Sequence, residues 1–94
     1  MLITFDRVKN ARNIDQRSLP FRLVLRFDWR SALVAQDLRK EYGERRFQAL
    51  GYIDERLHVV VFTPKLQAIH VISLRKANNR ECSKYEAQSK SKTS

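Results

Sequence analysis

The sequence has a single cysteine, Cys82, so the chain cannot form an internal disulfide. A protein without disulfides suits a reducing compartment, and we therefore expect a cytoplasmic location. The first ten residues contain three charged side chains and no long apolar core, which is unlike a secretory signal peptide. The longest apolar run, 57–62, is interrupted by His58 and falls well short of the roughly 18 residues that span a membrane. We therefore expect no membrane partner.

Glycine and potential metal ligands are also scarce. Two glycines occur in the whole chain, which excludes a glycine-rich phosphate-binding loop. The cysteine and the two histidines, His58 and His70, do not have the spacing of a known metal site. No segment resembles the nucleophile elbow of a serine hydrolase. The sequence therefore predicts neither a cofactor nor a metal.

Positive charge, in contrast, is abundant. The chain has 19 lysines and arginines against 10 aspartates and glutamates, a net charge of +9. Residues 1–31 and 75–94 each carry a net charge of +4, whereas residues 32–74 carry +1. If the two ends of the chain meet in space, they form one basic face, whose natural partner is a polyanion such as RNA. The alternative is a basic surface that serves solubility alone.

The apolar periodicity predicts one α+β domain over residues 1–88 and a disordered tail over 89–94. A short strand or extended arm at 2–5 comes first. Two N-terminal helices follow, one over 7–17 and one over about 21–27.

Short connections then join four predicted strands, and such short links favour antiparallel neighbours. The predicted strands are 33–38, 46–53, 57–63 and 68–74. A C-terminal helix is expected from Asn78 to about Ala87, because Asn78 and Glu81 have the spacing of a capping box. The predicted architecture is thus two helices, an antiparallel sheet of about four strands, and a final helix.

One candidate site lies where a predicted turn enters a strand. Side-chain alternation places Glu44 and Arg46 on one face of this strand and Arg45 on the other. A glutamate beside an arginine could take a proton and bind a phosphate. An exposed salt bridge, worth about 0–1 kcal/mol, is the alternative.

A second group lies at the junction of the last strand and the last helix, beginning with Arg75. Lys76, Arg80 and Lys84 are spaced by four residues, which would align them on one helix face. Such a stripe favours an anionic ligand, although a solvated helix face has the same pattern. Tyr85 is suited to stack on a base, to donate a hydrogen bond, or to pack in the core.

His58 follows the first group on the next strand, which makes it a secondary candidate for acid–base chemistry near neutral pH. A structural role is the alternative for a histidine in an apolar strand.

Taken in order, these groups resemble the BrnT family of type II toxins, which are ribonucleases with a RelE-like fold. The resemblance covers about residues 3–86. The matching residues are Phe5-Asp6 with Lys9 and Asn13, Tyr42-Gly43-Glu44 with Arg46, Gly51, the strand 57–64, and 70–78 with Glu81 and Tyr85. The chain departs from the family pattern at Gln16-Arg17, Pro20, His70 and Asn78.

The resemblance implies a metal-independent endoribonuclease that inhibits translation and growth. It also implies a partner similar to the BrnA antitoxin, which neutralises the toxin, and indirect contact with operator DNA through that antitoxin.

Metal-free RNA cleavage uses the 2′-hydroxyl as nucleophile, and it needs a base, cations for the phosphate and an acid for the leaving oxygen. We expect Arg46 and Arg75 to hold the phosphate and Glu44 or His58 to be the base. Tyr85 and Lys76 are candidates for the leaving side. Arg45, Lys76, Arg80 and Lys84 are the candidate substrate-binding residues.

Two other functions use the same cationic side chains. A non-catalytic RNA-binding module would bind RNA in a salt-dependent manner without cutting it. A decayed toxin would act only as a co-repressor that contacts antitoxin and operator.

Overall fold

Five strands form one sheet, and within residues 1–93 one α-helix follows the first strand and another follows the last strand. In the computed structural model the backbone is described for residues 1–93 and the side chains for residues 1–89. The elements in chain order are β1 (Leu2–Phe5), α1 (Arg7–Arg17), a 3₁₀ helix (Phe21–Arg26), β2 (Leu33–Gln36), β3 (Phe47–Ile53), β4 (Arg56–Pro64), β5 (Ala68–Lys76) and α2 (Asn79–Thr93).

The sheet is mixed, which corrects the prediction of an antiparallel sheet of about four strands. Its strand order is β1-β5-β4-β3-β2. Strands β2 to β5 form the predicted antiparallel meander, but β1 pairs with β5 in parallel, from Leu2 opposite Ala68 to Phe5 opposite Val71. Short loops reveal only pairings between consecutive strands. A parallel pair requires a long connection, and here α1, the 3₁₀ helix and strands β2 to β4 lie between β1 and β5 in the chain.

The second predicted N-terminal helix is also wrong as an α-helix. The segment forms a 3₁₀ helix of six residues after Pro20, and Pro20 makes no side-chain capping hydrogen bond. Phe27 then adopts extended backbone and forms a bridge with Ile53, so the chain joins the sheet before another α-helical turn can form. Helix α1, in contrast, has the predicted bounds, and Asp6 caps it by accepting hydrogen bonds from the backbone N–H groups of Val8 and Lys9.

Each side of the sheet has its own apolar cluster. On the side that we call the α1 face, α1 and the 3₁₀ helix cover a core that includes Phe21, Val24, Val60 and Leu74. On the opposite side, the α2 face, α2 covers a smaller cluster made of Leu57, Val59, Ala77 and Tyr85, with Leu33, Leu50, Tyr52 and Cys82 packed around it. Because side chains alternate along a strand, the register assigns each residue of the sheet to one of these faces.

The junction of β5 and α2 is fixed by the predicted capping box. The backbone N–H of Glu81 donates to Asn78 Oδ1 at 2.8 Å, and the backbone N–H of Asn78 donates to Glu81 Oε1 at 2.9 Å. Helix α2 is described as far as Thr93, beyond the predicted end near Ala87. A disordered tail was predicted over 89–94. The side chains from residue 90 onward and the whole of Ser94 lie outside the described residues. Within residues 1–93 no helix is long and apolar enough to cross a membrane.

Candidate active site

Helix α2 packs over one half of the α2 face, and the other half carries polar side chains. In one transverse row, Thr63 of β4 pairs with His70 of β5, and His70 pairs with Thr4 of β1. Thr4 Oγ1 and His70 Nδ1 lie 2.7 Å apart. The next row consists of Gln48, Val61 and Ser73. These two rows form the base of the candidate site, which we call the open face.

Arg46 lies at one end of the open face, immediately before β3. Its guanidinium stacks on the ring of Tyr42, with Cζ 3.9 Å from the ring centroid. Its nearest carboxylate oxygen, Glu44 Oε2, is 3.9 Å from Nη2, which is too long for a hydrogen bond. The side chain is 22% exposed, and its buried Nε–H has no acceptor among the described residues. Arg46 is therefore a positioned cation beside Glu44, and its Nη groups, which form no hydrogen bond with a described residue, are the donors that could meet a ligand.

Glu44 lies between Arg46 and the first row of the open face. The Thr63 hydroxyl donates a hydrogen bond to Glu44 Oε2 at 2.8 Å. This hydrogen bond, helped by the nearby positive charges of Lys65 and Arg46, holds the pKa of the Glu44 carboxyl below its usual value. Glu44 is therefore a carboxylate at neutral pH. Because His70 is the direct neighbour of Thr63 on β5, this imidazole lies next to the Glu44 group.

The loop between β2 and β3 supports Arg46 through Tyr42, which belongs to the family pattern, and through Asp37 and Arg39, which no sequence pattern indicated. Asp37 is buried, and its carboxylate accepts two hydrogen bonds from the Arg39 guanidinium, at 2.8 and 2.7 Å, and a third from the Tyr42 hydroxyl at 3.0 Å. The backbone N–H of Asp37 donates to the carbonyl of Arg46 at 2.7 Å. Asp37 thus fixes the ring on which Arg46 stacks. The spacing of Asp37, Arg39 and Tyr42 alone carries no signal for this cluster, because it depends on how the loop closes.

Arg75 lies at the other end of the open face, beside the N-terminus of α2. Its guanidinium donates two hydrogen bonds to the Glu81 carboxylate, both at 2.8 Å, and they raise the pKa of Arg75 and lower that of Glu81. Arg39 is close enough for its charge to oppose the protonation of Arg75. Glu81 therefore does two things, because it completes the helix cap and also orients Arg75.

The two arginines chosen for the phosphate share a face but stand apart on it. Phe47, next to Arg46, pairs with Phe62, whereas Arg75 pairs with Val59. Arg46, one residue before Phe47, is level with Thr63, so the backbone positions differ by four residues, roughly 13 Å, along the strands and by two strand spacings, roughly 10 Å, across the sheet. The shared phosphate contact of Arg46 and Arg75 stays a prediction, and their backbones lie well apart on the face that both occupy.

His58 and Lys76 lie on the opposite side of the sheet from this group. His58 pairs with Gly51 on β3 and with Lys76 on β5, and all three belong to the α1 face. Its Nδ1 is 2.7 Å from the carbonyl oxygen of Arg56. Burial lowers the pKa of His58, so the imidazole is neutral at pH 7. The register thus separates both residues from Glu44, Arg46 and Arg75.

Tyr85 is on the α2 face but in the covered half. It is 8% exposed, packs edge-on against Tyr52 at 5.5 Å between ring centroids, and donates from its hydroxyl to the Ser31 carbonyl at 3.0 Å. Two of the three alternatives open from the sequence, packing and hydrogen-bond donation, are the arrangement that the structure displays.

The remaining predicted substrate-binding residues also fall in different places. The Cζ atom of Arg45 lies 5.1 Å from the centroid of the Phe47 ring. Arg45 is thus on the opposite side of the chain from Arg46 at the start of β3. The predicted stripe of Lys76, Arg80 and Lys84 is wrong, because the capping box starts the helix after Asn78 and leaves Lys76 in β5. Lys84 lines a cavity of about 190 Å³ together with Glu81, next to Arg75.

Metal ligands are not grouped in the part of the chain whose side chains are described. Among residues 1–89, no three His, Cys, Asp or Glu side chains come together as a set that could hold a metal ion.

Comparison with known families gives this geometry a context. The family model of the ribonuclease toxin BrnT of type II toxin–antitoxin systems matches residues 5–81. The chain belongs to the BrnT family. The matched stretch includes the Glu44–Arg46 end of the open face and the whole Arg75–Glu81 pair, and it stops before Lys84 and Tyr85. No curated protein matches the chain. Membership in a BrnT family of ribonuclease toxins implies an RNA target and an antitoxin partner.

Proposed function

We propose that this BrnT chain is a cytoplasmic, metal-independent endoribonuclease whose active site is the open face, and that a BrnA-like antitoxin neutralises it. The observation that carries the proposal is the state of Arg46. Arg46 is held on the Tyr42 ring, its nearest carboxylate oxygen belongs to Glu44 at 3.9 Å, and its Nη groups form no hydrogen bond with a described residue. A guanidinium with free donors matches the oxygens of a phosphate.

In the proposed reaction the scissile phosphate binds at Arg46. The 2′-oxygen of the preceding ribose attacks phosphorus, its proton passes to the Glu44 carboxylate, and the bond from phosphorus to the 5′-oxygen breaks. His70, next to Glu44 in the row Thr63–His70–Thr4, gives a proton to the leaving 5′-oxygen. The products are a 2′,3′-cyclic phosphate and a 5′-hydroxyl.

The other end of the open face holds the neighbouring part of the strand. Arg75, oriented by Glu81, and Arg39, oriented by Asp37, present two guanidinium groups near each other. Both guanidinium groups already donate hydrogen bonds to a carboxylate. They are therefore better suited to binding and aligning the RNA than to stabilising charge in the transition state. The proposed roles of Tyr85 and Lys76 on the leaving side find no support in their positions.

Arg46 and Arg45 form a matched pair for testing this proposal. They are adjacent and equally charged, but Arg45 lies over Phe47 whereas Arg46 lies over Tyr42 on the open face. We expect Arg46→Ala to reduce the rate of cleavage of a labelled RNA by about 10²–10³, the usual effect of removing one stabiliser of transition-state charge. Arg45→Ala should remain close to the unmodified protein. Similar losses in both variants would refute the site.

The proton-transfer roles predict a pH dependence. The pKa of Glu44 is lowered, so the base stays ionised through the neutral range and the rate should not fall on mild acidification. A rate that instead falls on mild acidification would make a histidine the base and would contradict the assignment of Glu44.

The link to operator DNA is part of the same proposal. A BrnA-like antitoxin would carry the DNA-binding function, and the toxin would reach the operator only within that complex. Loss of operator binding by the complex when the antitoxin's DNA-binding part is deleted is the expected result, and retained binding would contradict it.

A further inference from the structure

A cationic cavity beside α1 lies outside the active site proposed above. It has a volume of about 190 Å³ and is lined by Lys9, Arg12, Asn13, Gln16 and Arg17 of α1, by Phe21, and by Ile72 and Ser73 of β5. The cavity exists because β1 pairs with β5 only as far as Val71, where the chain turns into α1. The next residues of β5 lie at a bulge in its pairing with β4, so this edge of β5 faces α1.

The charged side chains that line this cavity are all positive. Lys9 and Arg12, three residues apart on α1, are exposed and form no ion pair with a described carboxylate within 4 Å. The Asp6 carboxylate near Lys9 accepts the backbone hydrogen bonds of the helix cap. Arg17 donates one hydrogen bond, to Asn13 Oδ1 at 2.8 Å. Uncompensated like charges repel one another, and an anion in the cavity would relieve that repulsion.

Ser73 borders both the cavity and the open face, because it lies on the edge of β5 that β1 leaves unpaired beyond Val71. Ser73 belongs to the row Gln48–Val61–Ser73, next to the row that contains His70, and it precedes Arg75 by two residues on the same strand. A strand that crosses the open face can therefore leave it over Ser73 and reach Lys9 and Arg12. The lining is polar and cationic apart from Phe21 and Ile72, which favours a phosphate over a base or an apolar side chain as the group bound there.

We propose that this cavity, with Lys9 and Arg12 as its main ligands, binds backbone phosphates of the RNA strand that flanks the cleaved bond. The inference rests on the proposed function of the open face. It adds a binding subsite on α1 that makes long RNA a better substrate than a dinucleotide.

The test uses Lys9→Gln/Arg12→Gln together with Arg7→Gln as a control. Arg7 is exposed on the same helix, and at 100° per residue it lies about 160° around the axis from Lys9. Binding is measured with a long single-stranded RNA whose 2′-hydroxyls are all methylated, so that it cannot be cut. We expect the double variant to bind more weakly than Arg7→Gln, and the slope of log affinity against log salt to become less negative by about 1.4, because each phosphate contact on a single strand contributes about 0.7.

Cleavage of two substrates separates this subsite from the active site. The double variant should cut a dinucleotide as fast as the unmodified protein and a long RNA more slowly, through a higher KM. Equal losses on both substrates would place Lys9 and Arg12 in the catalytic machinery and overturn the inference. Unchanged affinity and salt slope would also overturn it, as would weakened antitoxin binding with RNA affinity intact, which would make the cavity a protein contact. Because the binding assay needs no cleavage, it remains decisive even if the open face proves inactive.

Discussion

Replacing Asn13 tests how α1 is held against the sheet. Asn13 is 4% exposed, and its Nδ2 donates to the Leu19 carbonyl at 2.7 Å and to the Leu74 carbonyl at 2.9 Å. Asn13→Ala removes both donors and leaves two buried acceptors, each costing about 1–3 kcal/mol when unsatisfied, so we expect a loss of about 2–6 kcal/mol. Asn13→Asp should cost more at neutral pH, because a carboxylate oxygen would then face two carbonyl oxygens.

The assay is urea unfolding followed by circular dichroism, with the slope of the transition checked for constancy. Asn79→Ala is the matched control, because Asn79 is exposed and lies at the start of α2. We expect the control to remain within about 0.5 kcal/mol of the unmodified chain. If Asn13→Ala changes the free energy of unfolding as little as the control does, or if Asn13→Asp is no worse than Asn13→Ala, the reasoning fails.

Two further predictions concern the sheet and the loop that supports the site. A Cβ at Gly51 would lie 2.7 Å from Phe27 Cζ and 3.1 Å from Ala32 Cβ, so Gly51→Ala should lower the free energy of unfolding by about 1–3 kcal/mol through overpacking, and an unchanged melting temperature would contradict this. Hydrogen bonds from Arg39 hold the pKa of Asp37 far below its usual value, so the folded state loses stability as the pH falls below the ordinary aspartate range near 4. Asp37→Asn should weaken this acid dependence of the urea midpoint, and an unaltered dependence would show that Asp37 does not contribute to it.

Local signals in the sequence predicted the elements whose ends are fixed by nearby residues. Asp6 caps α1 as its position suggests, and Asn78 with Glu81 forms the capping box that starts α2. The pairing of β1 with β5 was not predictable in the same way, because it joins distant parts of the chain. The 3₁₀ helix was also not predicted, because the helix ends where Phe27 adopts extended backbone and pairs with Ile53 in the folded sheet.

The candidate site shows the same division between local and long-range information. Glu44 and Arg46 were found from alternation within one short segment. The separation of His58 from Glu44 and Arg46 required the register of β4, and the place of His70 beside Thr63 required the register of β5. Arg75 was found as a cation, but its carboxylate partner Glu81 was predicted only as a helix cap. No sequence pattern indicated Asp37, because its role depends on burial in a closed loop.

The central claim is that the open face cuts RNA by attack of the 2′-hydroxyl with side chains alone. The most direct measurement incubates the purified chain with a labelled single-stranded RNA in excess chelator and identifies the ends of the products. We expect cleavage that persists in chelator, yields 2′,3′-cyclic phosphate and 5′-hydroxyl ends, and stops at any position where the preceding ribose lacks its 2′-hydroxyl. Cleavage that requires an added metal, cleavage at such a deoxy position, or salt-dependent binding without any cleavage would contradict it.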